Sequence, residues 1–257
     1  MIPALPFAPD RGLSLDLHLP DGPPRGVILA LHGGGFLRGA RAEPWAQRLA
    51  TLATARGHAL ADADYRLRAT AADFPPAEAQ AIAAAVARGR AVGLRLNPRL
   101  CGPALFAAME DAGAALAALR SGALHPATAG LPVTICGISA GGIAALALAF
   151  PPAPWAARLP RPDAVLAVTA AVAMPWRLGA GGPPSTLLHG SVDRIVPLAD
   201  ARLAARRARA AGANLQLIET GIPGHVPQVE ALLTGRDPAG RPYLDRLFDA
   251  DPPAEAP

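Results

Sequence analysis

Ser139 stands in the run Gly137-Ile138-Ser139-Ala140-Gly141-Gly142, directly after the apolar segment 133–136 and directly before a helix-like stretch that begins at Ile143. A G-x-S-x-G turn between strand and helix lifts a serine hydroxyl to the top of a sheet, where it can act as a nucleophile. The pattern by itself also describes a Gly-rich strand-to-helix turn with no chemistry, so the rest of the chain has to supply partners. His32-Gly33-Gly34-Gly35-Phe36 closes another apolar run, 27–31. Three consecutive glycines leave backbone N–H groups free to converge on an anion, which is what stabilisation of an oxyanion requires. A phosphate-binding loop is the competing reading. It fits less well, because neither G-x-G-x-x-G spacing nor a following Lys-Ser/Thr pair is present. His32 itself reads as a residue that holds the loop's shape.

A nucleophilic serine needs a base, and the base needs an acid to orient it. In strand–turn–helix serine sites these follow the serine in the order acid, then histidine. Two histidines follow Ser139. His189 ends a strand-like run and reads as structural. His225 sits in the loop Gly221-Ile222-Pro223-Gly224-His225-Val226-Pro227, beyond the last strand-like run, and is the expected base. Asp193 follows directly after a strand, in the right order and at the right edge. Asp163 precedes its strand, Asp200 falls within a predicted helix, and Glu219, at the tip of the last strand, stays as a weaker alternative.

The elements that would position these residues alternate. Strand-like runs lie at 13–19, 27–31, 59–64, 133–136, 165–172, 186–189 and 215–219. Helix-like runs lie at 45–56, 77–92, 104–119, 143–150, 199–211 and 228–233. Segment 13–19 alternates with a period of two, as a half-buried strand does, whereas 27–31 is continuously apolar, as a strand covered on both faces is. Alternation of this kind predicts an α/β fold with a mainly parallel sheet and helices on both faces. Between Leu67 and Leu119 two helices stand where one crossover helix is expected, so 74–108 is read as an insertion and a possible lid over the pocket. One domain over 1–257 is expected, with a loose tail over 249–257.

The 257 residues carry 24 cationic and 20 acidic side chains, and every cation is arginine. Hydrophobic residues are 51% and charged residues 17% of the chain, which excludes a disordered protein. The arginines do not form a stripe. Arg202, Arg206, Arg207 and Arg209 read as the wet face of one helix, so no nucleic-acid partner is expected. Two cysteines, Cys101 and Cys136, are too few for a disulfide framework or a Cys-rich metal site, and Cys136 reads as a buried strand residue. No signal sequence and no membrane span is read from the sequence, which makes a soluble cytoplasmic protein the expectation.

The motifs resemble the α/β-hydrolase superfamily, and within it the hormone-sensitive-lipase-like and related carboxylesterases. The pieces that carry the resemblance are His32-Gly33-Gly34-Gly35-Phe36, Asp64-Tyr65-Arg66-Leu67, Gly137 to Gly142, His189-Gly190-Ser191-Val192-Asp193 with Val196-Pro197, and Gly224-His225. They span most of the chain in the family's order. The resemblance implies Ser139 as nucleophile, His225 as base, Asp193 as acid, and oxyanion donors from the backbone of Gly34, Gly35 and Ala140. It implies a serine carboxylesterase without a cofactor or metal, acting on small ester substrates with short to medium acyl groups. Phe36 is expected to line the substrate pocket. The chain departs from the family in three places. Arg68-Ala69-Thr70 replaces the usual Ala-Pro-Glu, the first strand is expected only near Leu13 so the N-terminal cap is missing, and the extra helix stands before Ser139. An arylformamidase-like amide hydrolase and a catalytically silent hydrolase-fold binder are the alternatives.

Overall fold

A computed structural model describes residues 1–248. The tail expected to be loose, 249–257, lies outside the described residues. Eight strands form one sheet: β1 (Ile2–Ala8), β2 (Leu13–His18), β3 (Val27–Leu31), β4 (Ala59–Ala63), β5 (Val133–Ile138), β6 (Ala164–Val168), β7 (Ser185–His189) and β8 (Leu215–Glu219). Their order across the sheet is β1-β2-β4-β3-β5-β6-β7-β8. The pairs β1/β2 and β2/β4 are antiparallel, and every pair from β4 onward is parallel. One strand was not expected. Ile2–Ala8 forms β1, so the sheet begins before Leu13. Its two prolines, Pro3 and Pro6, hide it from a pattern search, and as an edge strand it tolerates them.

The helices are α1 (Pro44–Thr54), α2 (Pro76–Ala91), α3 (Pro103–Arg120), α4 (Ala140–Ala149), the single turn α5 (Ala153–Ala156), α6 (Leu198–Ala211) and α7 (Pro227–Thr234). Two apolar clusters show that both faces of the sheet are covered. One gathers residues of α2, α3, α4 and α6, the other residues of α1 and α7. Helix α4 has no polar face, because all ten of its residues are buried between the sheet and α3. The stretch Pro98–Arg120 is long and apolar enough to cross a membrane by length and composition, a feature the sequence reading passed over. Most of it is buried in this fold, packed on α4 and β1, which accounts for its apolarity. Arg202, Arg206, Arg207 and Arg209 are exposed along α6, as expected.

The strand order reverses at β3. The chain leaves β3 for β4 on one side, then returns to lay β5 on the other. Ligands of open parallel sheets bind at such a reversal, outside the carboxyl ends of the strands. Leu31 pairs with Gly137 across β3 and β5. That register sets the glycine loop, which starts at His32, beside the turn that carries Ser139.

A second feature of the strand pairing concerns stability. Asp16 and Asp62 lie directly opposite each other in the β2/β4 pair. Asp16 is tied to Arg41 Nε at 3.0 Å and to the N–H of Ala4 at 2.8 Å. Asp62 is wholly buried, accepts one hydrogen bond from Ala42 N–H at 2.6 Å, and has no partner for Oδ1 among the described residues. Burial pushes its pKa up to about 7. The Ala42 bond opposes this, and the charges of Asp16, Asp64 and Glu43 add to it. A carboxyl that holds its proton more tightly when folded stabilises fully below its unfolded pKa, and that contribution drains away as pH rises from about 4 to about 7. Asp62→Asn cannot ionise and keeps an oxygen for Ala42. We expect it to raise Tm by about 4 °C or more at pH 8.5, with a smaller gain at pH 5. Calorimetry at the two pH values checks this, and a loss of Tm at both would contradict it.

Candidate active site

Ser139 follows β5 and caps α4 with φ 52° and ψ −114°. A non-glycine residue at positive φ carries strain, which the surrounding backbone has to hold. It is held on both sides. Ser139 N–H donates to Val168 O at 2.8 Å, and Ser139 O accepts the N–H of Ile143 at 2.9 Å. The flanking glycines are sterically required. A Cβ on Gly137 would lie 2.5 Å from Gly141 O, and one on Gly141 would lie 2.3 Å from Leu31 O. The turn thus presses against the end of β3, and Gly141 N–H donates to His32 O at 3.1 Å.

His225 Nε2 lies 2.9 Å from Ser139 Oγ, and His225 Nδ1 lies 2.6 Å from Asp193 Oδ2. Eighty-six residues separate the serine from the histidine, and thirty-two the histidine from the aspartate. All three therefore meet through the sheet, whose carboxyl edge carries the loops after β5, β7 and β8. The Asp193 side chain is fully buried. Burial opposes its ionisation. The hydrogen bond from His225, those from the N–H groups of Val196 (2.9 Å) and Ile195 (2.8 Å), and the nearby imidazole outweigh that, so its pKa is lowered. A carboxylate fixed in this way selects the imidazole tautomer that leaves Nε2 free to accept a proton from Ser139.

The glycine loop follows the same economy. His32 is buried and stacks on Tyr65 with ring centroids 4.1 Å apart. Its Nδ1 is 2.7 Å from Gly33 O, and Tyr65 Oη donates to His32 O at 2.7 Å. His32 shapes the loop and does not reach Ser139, as expected. Tyr65, from the Asp-Tyr-Arg-Leu motif, is the anchor that sequence reasoning left without a role. Arg66 ties the same motif to α3 through Asp111 at 2.9 Å and Glu110 at 2.9 Å. Gly34 adopts φ 103° and Gly35 φ 65°. The N–H groups of Gly34, Gly35 and Ala140 have no hydrogen-bond acceptor among the described residues.

These residues border a cavity of about 480 Å³ that contains Ser139, His225, Gly34 and Gly35. Its walls are mostly apolar, with Leu37, Leu100, Ile138, Ile195, Val226 and Val229, and Arg38 and Thr169 also border it. Leu37, Ile195 and Val226 are also among the few large hydrophobic side chains exposed on the molecule. Of the segment 74–108, Leu100 alone lines this cavity, while α2 packs on α3 and Arg95 N–H donates to Asp200 Oδ1 at 2.8 Å. Phe36, expected to line the pocket, does not border the Ser139 cavity. Its ring is wholly buried, 6.0 Å from that of Tyr65, and borders only the neighbouring cavity.

The competing acids and bases fall elsewhere. His189 is buried with neither ring nitrogen hydrogen-bonded, 3.8 Å from Asp193, and burial pushes its pKa down. Glu219 pairs with Arg202 at 2.6 Å, Asp163 pairs with Arg120 at 2.6 Å, and Asp200 anchors the chain before α3. Cys136 is buried in β5. Among the described residues no group of three or more His, Cys, Asp or Glu side chains is placed to hold a metal ion.

The same architecture is found in solved structures. Thermogutta terrifontis esterase 2 in its apo form superposes with a TM-score of 0.63 at 19% identity, over 88% of this chain and 85% of that one. Its propionate-bound form gives 0.63 at 19%, over 98% and 92%. MGS-M1, an alpha/beta hydrolase enzyme from a Medee basin deep-sea metagenome library, gives 0.59 at 18%, over 88% and 83%. The chain has the α/β-hydrolase fold. No family model and no curated protein matches the sequence. At these identities the likeness speaks for the α/β-hydrolase architecture alone, and the chemistry has to be argued from the residues of this chain.

Proposed function

We propose that the protein is a serine carboxylesterase that cleaves short- to medium-chain carboxylic esters through an acyl-enzyme. One observation carries this reading: an unbroken chain of short contacts from Ser139 to His225 to Asp193, beside three backbone N–H groups that have no acceptor among the described residues. Ser139 Oγ attacks the ester carbonyl carbon while its proton passes to His225 Nε2. The charge that develops on the carbonyl oxygen is met by the N–H groups of Gly34, Gly35 and Ala140, each such donor contributing about 3 kcal/mol in the transition state. Asp193 stabilises the imidazolium. The alcohol leaves with the proton from Nε2, and water then attacks the acyl-enzyme by the reverse route. Cofactor and metal have no step in this scheme.

Two further observations favour an uncharged apolar group next to the reacting carbonyl. The cavity wall is mostly aliphatic, and its exposed side chains include Leu37, Ile195 and Val226 beside Arg38. We assign to Leu100 the covering role expected of the 74–108 insertion. The hydrogen bond from Arg95 N–H to Asp200, five residues before Leu100, supports a wall rather than a mobile lid. Thermogutta terrifontis esterase 2, with which the chain shares its fold, is phosphorylated by paraoxon, which is the reactivity expected here of Ser139.

The test is a series of p-nitrophenyl esters from acetate to palmitate, on the wild-type protein and on Ser139→Ala, with an N-formyl anilide alongside. Turnover that is highest among the shorter acyl groups, falls at palmitate and is absent from Ser139→Ala is the expected result. Faster turnover of the anilide would favour the arylformamidase-like reading. No turnover of any of these by the wild-type protein would favour the silent binder.

A further inference from the structure

A second cavity, of about 620 Å³, adjoins the first, and Gly35 and Leu37 border both. Its inner surface is mostly apolar, with Phe36, Pro98, Pro103 and Ala104 among its walls, but Arg68 and Arg99 stand on it as well. Arg38 stands on the wall of the first. Neither cavity has an Asp or Glu in its lining. The three guanidinium groups are exposed and, like those of several other arginines, form no ion pair among the described residues. Arg68 is also held in place: its N–H donates to Phe36 O at 2.8 Å and its Nε to Leu37 O at 3.0 Å. An apolar chamber flanked by cations without counter-ions suits a ligand with a hydrocarbon body and an anionic end.

The position of the chamber decides which arm of an ester it would receive. The leaving oxygen must face His225 Nε2 to take up its proton. The loop that carries His225, and α7 after it, contribute no residue to the second cavity. The second cavity instead shares Gly35 and Leu37 of the glycine-loop side with the first, and an ester whose leaving oxygen faces His225 directs its acyl arm away from the His225 loop. Building on the esterase reading, we propose that the second cavity binds the acyl arm of ω-carboxyacyl esters, that is, half-esters of medium-length dicarboxylic acids, with Arg68 and Arg99 holding the free carboxylate.

The experiment compares p-nitrophenyl hydrogen adipate with p-nitrophenyl hexanoate on wild type, Arg99→Gln and Arg68→Gln/Arg99→Gln. The readout is the ratio of the two kcat/KM values, which cancels any general effect of the substitutions on the site. The ratio is expected to exceed one in wild type and to fall about tenfold in the double variant, the size of one lost charge-assisted contact of about 1.4 kcal/mol. It is also expected to shrink as salt is raised. Arg99→Gln guards against a disturbed Leu37 loop, since among the described residues the Arg99 side chain makes no hydrogen bond to that loop. A ratio of one or less in wild type, or one that neither variant nor salt changes, overturns the proposal. Calorimetry on Ser139→Ala with monomethyl adipate and methyl hexanoate separates this from the esterase reading. Tighter binding of the adipate that is lost on adding both arginine substitutions supports the subsite even if no ester is turned over, and equal binding refutes it.

Discussion

Replacing His225 with alanine is expected to lower kcat/KM for p-nitrophenyl acetate by about 10⁴- to 10⁶-fold, with little change in Tm. The size follows from the role. Without a base 2.9 Å away, Ser139 keeps its proton at neutral pH and is a poor nucleophile. Among the described residues no other histidine or carboxylate borders the Ser139 cavity to take over. His189 is near Asp193, but its ring nitrogens have no hydrogen-bond partner and it makes no contact with Ser139. The small effect on Tm follows from the location, because His225 lies in a loop on the rim of the cavity. Steady-state kinetics and calorimetry on the same preparation check both halves. A residual rate within about tenfold of wild type would show that His225 is not the base.

The second large effect is on folding. Gly141→Ala puts a Cβ 2.3 Å from Leu31 O and 2.5 Å from His32 O, both of them backbone atoms. A flexible side chain could swing away from such a contact, but the end of β3 cannot. Either the strand or α4 has to move, and the Gly141–His32 hydrogen bond moves with it. We expect a loss of about 3 kcal/mol or more, a drop of roughly 6–12 °C in Tm for a chain of this size. We expect activity to fall further than stability alone dictates, because the displaced segment leads into Gly33 and Gly34. Thermal unfolding monitored by circular dichroism measures the first effect, and a Tm within about 2 °C of wild type would contradict it.

The parts of this site that the sequence discloses are those with a local signature. A glycine pattern reports a backbone without room for side chains, and the distances around Gly137 and Gly141 bear that out. The helix boundaries in the sequence reading fall within a few residues of the observed ones, since caps and apolar period mark them. Strand β1 was missed because Pro3 and Pro6 within it, and Pro9 directly after it, give the segment the composition of a loop, and its pairing partner is known only once β2 is placed. Phe36 borders the second cavity and not the one that holds Ser139, for a related reason. Adjacency to the glycine loop says that it is near the site, but its φ of 62° turns it into the core beside Tyr65. The support that Tyr65 gives to His32 O bridges thirty-three residues and has no periodicity to betray it. The buried Asp62 was legible only as one small residue in an apolar strand. Its raised pKa comes from burial and from partners on other strands and loops, which a single sequence does not display.

The most direct test of the account is covalent labelling with a fluorophosphonate, followed by mass spectrometry of the labelled peptide. The account predicts stoichiometric modification of Ser139 in the wild-type protein and none in Ser139→Ala or His225→Ala. An unlabelled wild-type protein, or a label on any of the other four serines, would contradict it.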